Sequence, residues 1–212
     1  MTKKIKAILF DMDGVLIEAK DWHFEAMNKA LQIFGMEISR YDHLVTYDGL
    51  PTQKKLDMLS VERGLPKQLH EFINELKQKY TLEMVYTLCK PKFNHEYALS
   101  RLKADGYRIA VCSNSVKKTI EVMMERSSLK KYLDFSLSAQ DVLLPKPAPD
   151  IYLAAMEKYE LEPHECLVVE DNENGLKAAR ASGAHVMQVH NVNEVNYENI
   201  IANINKYEVI NL

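Results

Sequence analysis

Ile5-Lys6-Ala7-Ile8-Leu9-Phe10-Asp11-Met12-Asp13-Gly14 is the stretch that decides the architecture of this chain. An apolar run of strand length stops at two aspartates spaced by one residue, and a glycine then permits a tight backbone turn. Similar runs recur at residues 107–112, 166–169 and 185–189, with 135–137 a weaker member of the series. Short continuous apolar runs predict strands buried on both faces, as in a parallel sheet.

Helical periods fill the gaps. Leu99 and Leu102 lead to Gly106, and Val116, Ile120 and Met123 follow Ser115, which reads as the N-cap of its helix. Ile151, Ala155 and Tyr159 follow Pro149, and Leu176 with Ala179 precede Gly183. The alternation predicts an α/β fold, a doubly wound (Rossmann-like) parallel sheet with right-handed crossovers. Between Val15 and about Lys90 the alternation breaks and only helical patterns occur. Phe24, Met27, Leu31 and Phe34 share one face; Leu69, Phe72 or Ile73, Leu76 and Tyr80 share another. A third helix spans about 52–63 and ends at Gly64. The expected organisation is a core of residues 1–14 and 91–212, with a small all-helical cap of residues 15–90 inserted after the first strand and hinged near 14–18 and 87–92.

Composition narrows the function classes. The 212 residues, 47% hydrophobic and 27% charged, are ordinary for a soluble globular chain with a real core. A net charge of −3 gives no footprint for nucleic acid or an anionic membrane. No apolar run approaches the roughly 20 residues of a membrane span, and the basic start Met1-Thr2-Lys3-Lys4 precedes too short an apolar run for a signal peptide. Cys89, Cys112 and Cys166 form neither an even disulfide set nor a close metal-ligand spacing, so a cytoplasmic location is expected.

Chemistry gathers at the strand ends. Asp11 and Asp13 close the first strand, and Val111-Cys112-Ser113-Asn114-Ser115 closes the second and opens a helix, a ready anion site. Lys146 sits among three prolines in Pro145-Lys146-Pro147-Ala148-Pro149, which reduces backbone freedom around the ammonium. Glu170 and Asp171 follow Leu167-Val168-Val169 and suit Mg²⁺, which takes few carboxylates plus waters and phosphate oxygens. Asp13 is expected to have a raised pKa, from its like-charged neighbour and partial desolvation. Taken singly, each segment also reads as a turn, an N-cap or a surface lysine.

The order and spacing of these segments resemble the haloacid dehalogenase superfamily of phosphatases and phosphomutases, most specifically over residues 7–14, 109–115, 143–151 and 167–183. The helical insert resembles the cap of its β-phosphoglucomutase and sugar-phosphate phosphatase subgroup. The resemblance implies an Mg²⁺-dependent phosphomonoesterase acting on a small, sugar-like phosphate through an aspartyl-phosphate. Asp11 would be the nucleophile and Asp13 the general acid and base, and Ser113, Asn114 and Lys146 would bind the phosphoryl group. Asp11, Asp13 through its carbonyl, Glu170 and Asp171 would surround the metal. His23, Thr52, Lys54 and Lys55 are the cap positions expected to meet substrate or regulate closure. The partner is a small-molecule phosphate ester, and a monomer is expected.

The match thins in places. Ala19 replaces a hydroxyl that relatives commonly carry, and Asn172 stands where serine is usual. The cap loop Asp48-Gly49-Leu50-Pro51-Thr52-Gln53-Lys54-Lys55 lacks the arginine with which phosphomutases grip a second phosphate, although Lys54 or Lys55 offers a point charge. Hydrolysis is therefore favoured over a β-phosphoglucomutase-like transfer. A phosphoacceptor signalling domain also places aspartates, Ser/Thr and Lys at strand ends, but the roughly 75-residue insertion after Gly14 argues against it.

Overall fold

Strand β1 (Ala7–Phe10) is the centre of a five-stranded, all-parallel sheet of order β3-β2-β1-β4-β5 in the computed structural model, which describes residues 5–209. Met1–Lys4 and residues 210–212 lie outside the described residues. The other strands are β2 (Arg108–Cys112), β3 (Phe135–Leu137), β4 (Cys166–Glu170) and β5 (His185–Gln188), which bears out the strand series read from sequence. Phe10 pairs with Val111 on one side and Val169 on the other, so three strands end in step. The order reverses at β1 and β4, which opens a crevice beyond their carboxyl ends.

The alternation of side chains builds two cores. Ile8, Phe10, Ile109, Val111, Leu167 and Val169 face one layer, formed by α5 (Phe93–Ala104), α6 (Lys117–Arg126) and α9 (Tyr197–Val209). Ala7, Leu9, Ala110, Cys112, Cys166 and Val168 face the other, formed by α7 (Asp150–Tyr159) and α8 (Glu173–Ala181). Burial on both faces explains why these strands carry no polar alternation in the sequence.

Between β1 and α5 lie only helical elements: α1 (Lys20–Gln32), a single turn α2 (Arg40–Asp42) running into a π-helical turn (His43–Tyr47), α3 (Thr52–Arg63) and α4 (His70–Leu88). They share their own core of Met27, Leu31, Ile38, Tyr47, Leu56, Leu59 and Ile73. Ile73 is the buried member of the Phe72/Ile73 pair, and Phe72 is half exposed. Gly64 ends α3 in the left-handed conformation, as its position in the sequence implies. Val85, near the end of α4, packs into the sheet core, so this helix ties the insert to the main body.

One local reading is corrected. Ser115 is not an N-cap: α6 begins after Val116 without a side-chain cap, and the Ser115 hydroxyl serves Asp13 instead. Trp22 packs against the sheet core and lines a groove with Leu88 and Pro91, away from the sheet-edge crevice.

Candidate active site

The carboxyl edge of the sheet collects the four chemical segments. Asp11 N–H donates to the Val169 carbonyl (2.9 Å) and Ser113 N–H to the Leu137 carbonyl (3.1 Å), so each follows its strand as one further ladder position. After Asp11 the chain folds tightly, with Gly14 N–H donating to the Ile17 carbonyl (2.7 Å). Gly14 has φ +89°, and a Cβ there would lie 2.1 Å from Asp171 Oδ2, so no other residue lets the turn pass this close.

Lys146 reaches the centre of the edge. Asn114 clamps its loop, donating from Nδ2 to the Lys146 carbonyl (3.1 Å) and accepting at Oδ1 from Lys146 N–H (3.0 Å). The buried Lys146 Nζ donates to Asp11 Oδ1 and Glu170 Oε1, both at 2.6 Å. Glu170 also accepts from the Tyr152 hydroxyl (2.8 Å) and from Asp171 N–H (2.9 Å). It fits only because α8 offers Gly175, where a Cβ would lie 1.7 Å from Glu170 Oε1.

Asp11, Glu170 and Asp171 bring one oxygen each within 4.8 Å of the others. Burial, and then the nearby Glu170 charge, push the Asp11 carboxyl well above the usual carboxylate range despite Lys146. Burial also raises Asp171, against the opposing pull of Lys20. Lys146 is held above the ordinary lysine range: burial opposes its charge, but Asp11 and Glu170 outweigh that. Lys20 Nζ lies 2.7 Å from Asp171 Oδ2, while the buried Asp171 Oδ1 has no hydrogen-bond partner among the described residues. Three crowded carboxylates and an orphaned carboxylate oxygen fit a divalent cation.

The side chain of Asp13 stands apart from that cluster. Its Oδ2 accepts from Ser115 Oγ (2.8 Å), and its Oδ1 lies 3.2 Å from His23 Nε2, not aligned for a hydrogen bond. Lys77 Nζ sits behind His23, 3.1 Å from Nδ1. The raised pKa expected for Asp13 is overturned. Burial raises it, but His23, Ser115 and Lys77 together bring it below the ordinary carboxylate value. The like charge of Asp11 is turned toward Lys146 and does not decide the balance.

These groups open onto one cavity of about 190 Å³, lined by Asp11, Asp13, His23, Ser113, Asn114 and Lys146, and by Thr52 and Lys55 from the insert. Lys54 is exposed and does not line it, because one residue along α3 turns the side chain outward. The loop before α3 is docked on the sheet edge: Asn114 Nδ2 donates to the Gly49 carbonyl (3.0 Å) and Asn174 Nδ2 to the Asp48 carbonyl (3.2 Å).

The sequence reading missed Lys20, His43 and Lys77. Lys77 had a signal: Ile73, Lys77, Thr81 and Val85 recur every four residues, and all four are buried. A lysine on an otherwise core-facing row marks a buried charge.

The sequence model of the haloacid dehalogenase-like hydrolase family matches residues 8–189. The phosphorylated carbohydrates phosphatase of Thermotoga maritima is 26% identical over 90% of this chain and 88% of its own length. The phosphoglycolate phosphatase of Aquifex aeolicus is 28% identical over 84% of this chain and 82% of its own. A β-phosphoglucomutase structure from Clostridium difficile superposes with TM-score 0.84 over 97% of this chain and 99% of that one, at 21% identity, a likeness of fold.

Proposed function

The chain belongs to the haloacid dehalogenase-like hydrolases and is a phosphatase, and from that premise we propose that it is a magnesium-dependent phosphomonoesterase acting on a small, sugar-like phosphate ester. The observation that carries this reading is the convergence of two aspartates with separate surroundings on one cavity. Asp11 is held by Lys146 among carboxylates, and Asp13 is held by His23 and Ser115.

Asp11 Oδ2 carries no hydrogen bond among the described residues and faces this chemistry as the nucleophile. It attacks phosphorus, forming an aspartyl-phosphate as the ester P–O bond breaks. Asp13 delivers a proton to the departing alkoxide, then takes one from the water that attacks the aspartyl-phosphate and releases inorganic phosphate. An incoming phosphate dianion raises the proton affinity of Asp13, offsetting the pull of His23 and Ser115. Lys146, Ser113 and the backbone around Asn114 bind the phosphoryl oxygens. Asp11 and Asp171, with Glu170 behind them, would hold Mg²⁺, which supplies charge neutralisation of the phosphoryl oxygens when bound. With Lys146 and Lys20 as the ammonium groups paired to three carboxylates among the described residues, the edge keeps a formal charge of −1, so it needs further positive charge before it accepts a dianion.

Residues 15–90 serve as a cap over a core of 1–14 and 91–212, and the docked loop at Gly49 represents the closed arrangement. Closure excludes water and brings insert residues against the leaving group. A screen of the purified protein with Mg²⁺ against phosphorylated sugars, nucleotides and small acids tests the reading. Release of free phosphate supports it, and isomerised product without free phosphate would replace hydrolysis with mutase chemistry.

A further inference from the structure

Lys20 is the first residue of α1, three positions after Ile17 closes the tight turn with Gly14, and nothing local favours a lysine there. The first turn of a helix carries the positive end of its dipole, so a cation at this position is unfavourable unless an anion answers it. The answering anion is Asp171, whose side chain is 1% exposed and whose Oδ2 lies 2.7 Å from Lys20 Nζ. The lysine stem reaches it by crossing Gly14, where a Cβ would lie 2.7 Å from Lys20 Cε. Asp171 has no other ion pair among the described residues.

A second carboxylate competes for the same ammonium. Asp48 Oδ2, in the loop before α3, lies 3.6 Å from Lys20 Nζ. That loop belongs to the insert but is seated on the core, its Asp48 carbonyl accepting from Asn174 Nδ2 and its Gly49 carbonyl from Asn114 Nδ2. Lys20 also stands between two cavities. It lines the substrate cavity, and with Asp171, Arg40 and His190 it lines another of about 260 Å³. The second cavity gives the ammonium room to shift between its two carboxylates.

We propose that Lys20 sets the affinity of the acidic cluster for its divalent cation: it shares Asp171 with the ion and weakens ion binding, and the seated Asp48 draws it away and restores that binding. The inference rests on the metal reading above and assigns its regulation to the insert. One oxygen of Asp171 faces Lys20 and the other has no hydrogen-bond partner among the described residues, so two cations divide one carboxylate. A positive charge within a few ångströms of a divalent ion opposes it even at a high effective dielectric. Seating of the loop places Asp48 beside Lys20, so docking of the loop and binding of the ion strengthen each other, as linkage requires. The cluster holds its ion most tightly when the insert covers the cavity.

The test reads metal binding without turnover. Mg²⁺ is titrated by calorimetry into the chelator-treated wild type, Lys20→Met, Asp48→Asn, the variant carrying both changes, and the exposed control Lys177→Met. Lys20→Met should bind Mg²⁺ at least about tenfold more tightly than wild type, the scale for removing one nearby like charge, with Lys177→Met within about twofold. Asp48→Asn should weaken binding at least about threefold in the wild-type background and less than about twofold in the Lys20→Met background, since its effect runs through the lysine. In EDTA, Lys20→Met should melt below wild type, because Asp171 is left buried without its counter-ion, and saturating Mg²⁺ should close that gap. Equal or weaker Mg²⁺ binding by Lys20→Met, an Asp48→Asn effect of the same size in both backgrounds, or a melting gap that Mg²⁺ leaves open would overturn the proposal while leaving the metal reading intact. Absence of Mg²⁺ binding in the wild type and in every variant would overturn the metal reading and this inference with it.

Discussion

Lys77 Nζ lies 3.1 Å from His23 Nδ1, and this contact turns the Nε2 edge of the imidazole toward Asp13. Below about pH 7, where Lys77 is an ammonium and can only donate, Nδ1 accepts, and the proton of a neutral His23 resides on Nε2, 3.2 Å from Asp13 Oδ1. Burial and the Lys77 charge keep the His23 pKa below the ordinary value, consistent with a neutral ring. His23 thus lies beside Asp13 and brings Lys77 within electrostatic reach of it, while Ser115 supplies the hydrogen bond. His23→Ala should lower kcat by roughly ten- to a hundredfold with a smaller change in KM, the range for losing support of a general acid. Steady-state kinetics on one good substrate checks it; a change confined to KM would assign His23 to substrate binding.

The buried lysines of the insert carry a stability signature. Burial, with Lys55 adding to it, lowers Lys77 to about 7, and burial lowers Lys55 to about 8. Unfolded, both lysines hold their protons to about 10.4. Between about pH 7 and 10 the unfolded chain therefore binds more protons, and stability rises with pH. Lys77→Met should flatten this rise and stabilise the protein at pH 6 by on the order of a few kcal/mol. Thermal melts of both proteins at pH 6 and 9 measure it, and an unchanged slope contradicts the burial argument.

Glycine at 175 is required by the space Glu170 occupies, not by backbone conformation. A methyl there collides with Glu170 Oε1, and Glu170 in turn holds Lys146 and Tyr152. Gly175→Ala is expected to cost about 1–3 kcal/mol of stability, as overpacking does, and to depress turnover of every substrate alike. Denaturant unfolding alongside kcat on several esters separates the two effects.

A divalent cation at the acidic cluster should stabilise the fold as well as support turnover. At a concentration of 100 times its Kd, Mg²⁺ should add about 2.7 kcal/mol of stability. Asp171→Asn should remove most of that increment, because its orphaned Oδ1 is the oxygen left for the ion. Full activity after exhaustive chelation would contradict the metal requirement.

Much of the site was readable because its residues end strands. Asp11, Ser113 and Glu170 each follow an apolar run, and a parallel sheet places all such ends on one edge. The insert was less legible. Tyr47 is buried in an irregular turn with no period to betray it, and Lys20, Lys55 and Lys77 look like solvated helix lysines until tertiary packing is known. Ser115 failed as a cap because its hydroxyl bonds across 102 residues of sequence to Asp13, a contact no local pattern carries. The direction of the Asp13 shift depended on the same long-range partners.

The central claim is that Asp11 accepts the phosphoryl group. Its most direct test is acid quenching of the enzyme during turnover of a good substrate, followed by mass spectrometry of the peptide containing Asp11. The account predicts the added mass of one phosphoryl group on Asp11 itself, with no such adduct and at least a hundredfold slower turnover in Asp11→Asn, the range for loss of a nucleophile. A phosphoryl group trapped on another residue, or Asp11→Asn turning over at more than about a tenth of the wild-type rate, would contradict it.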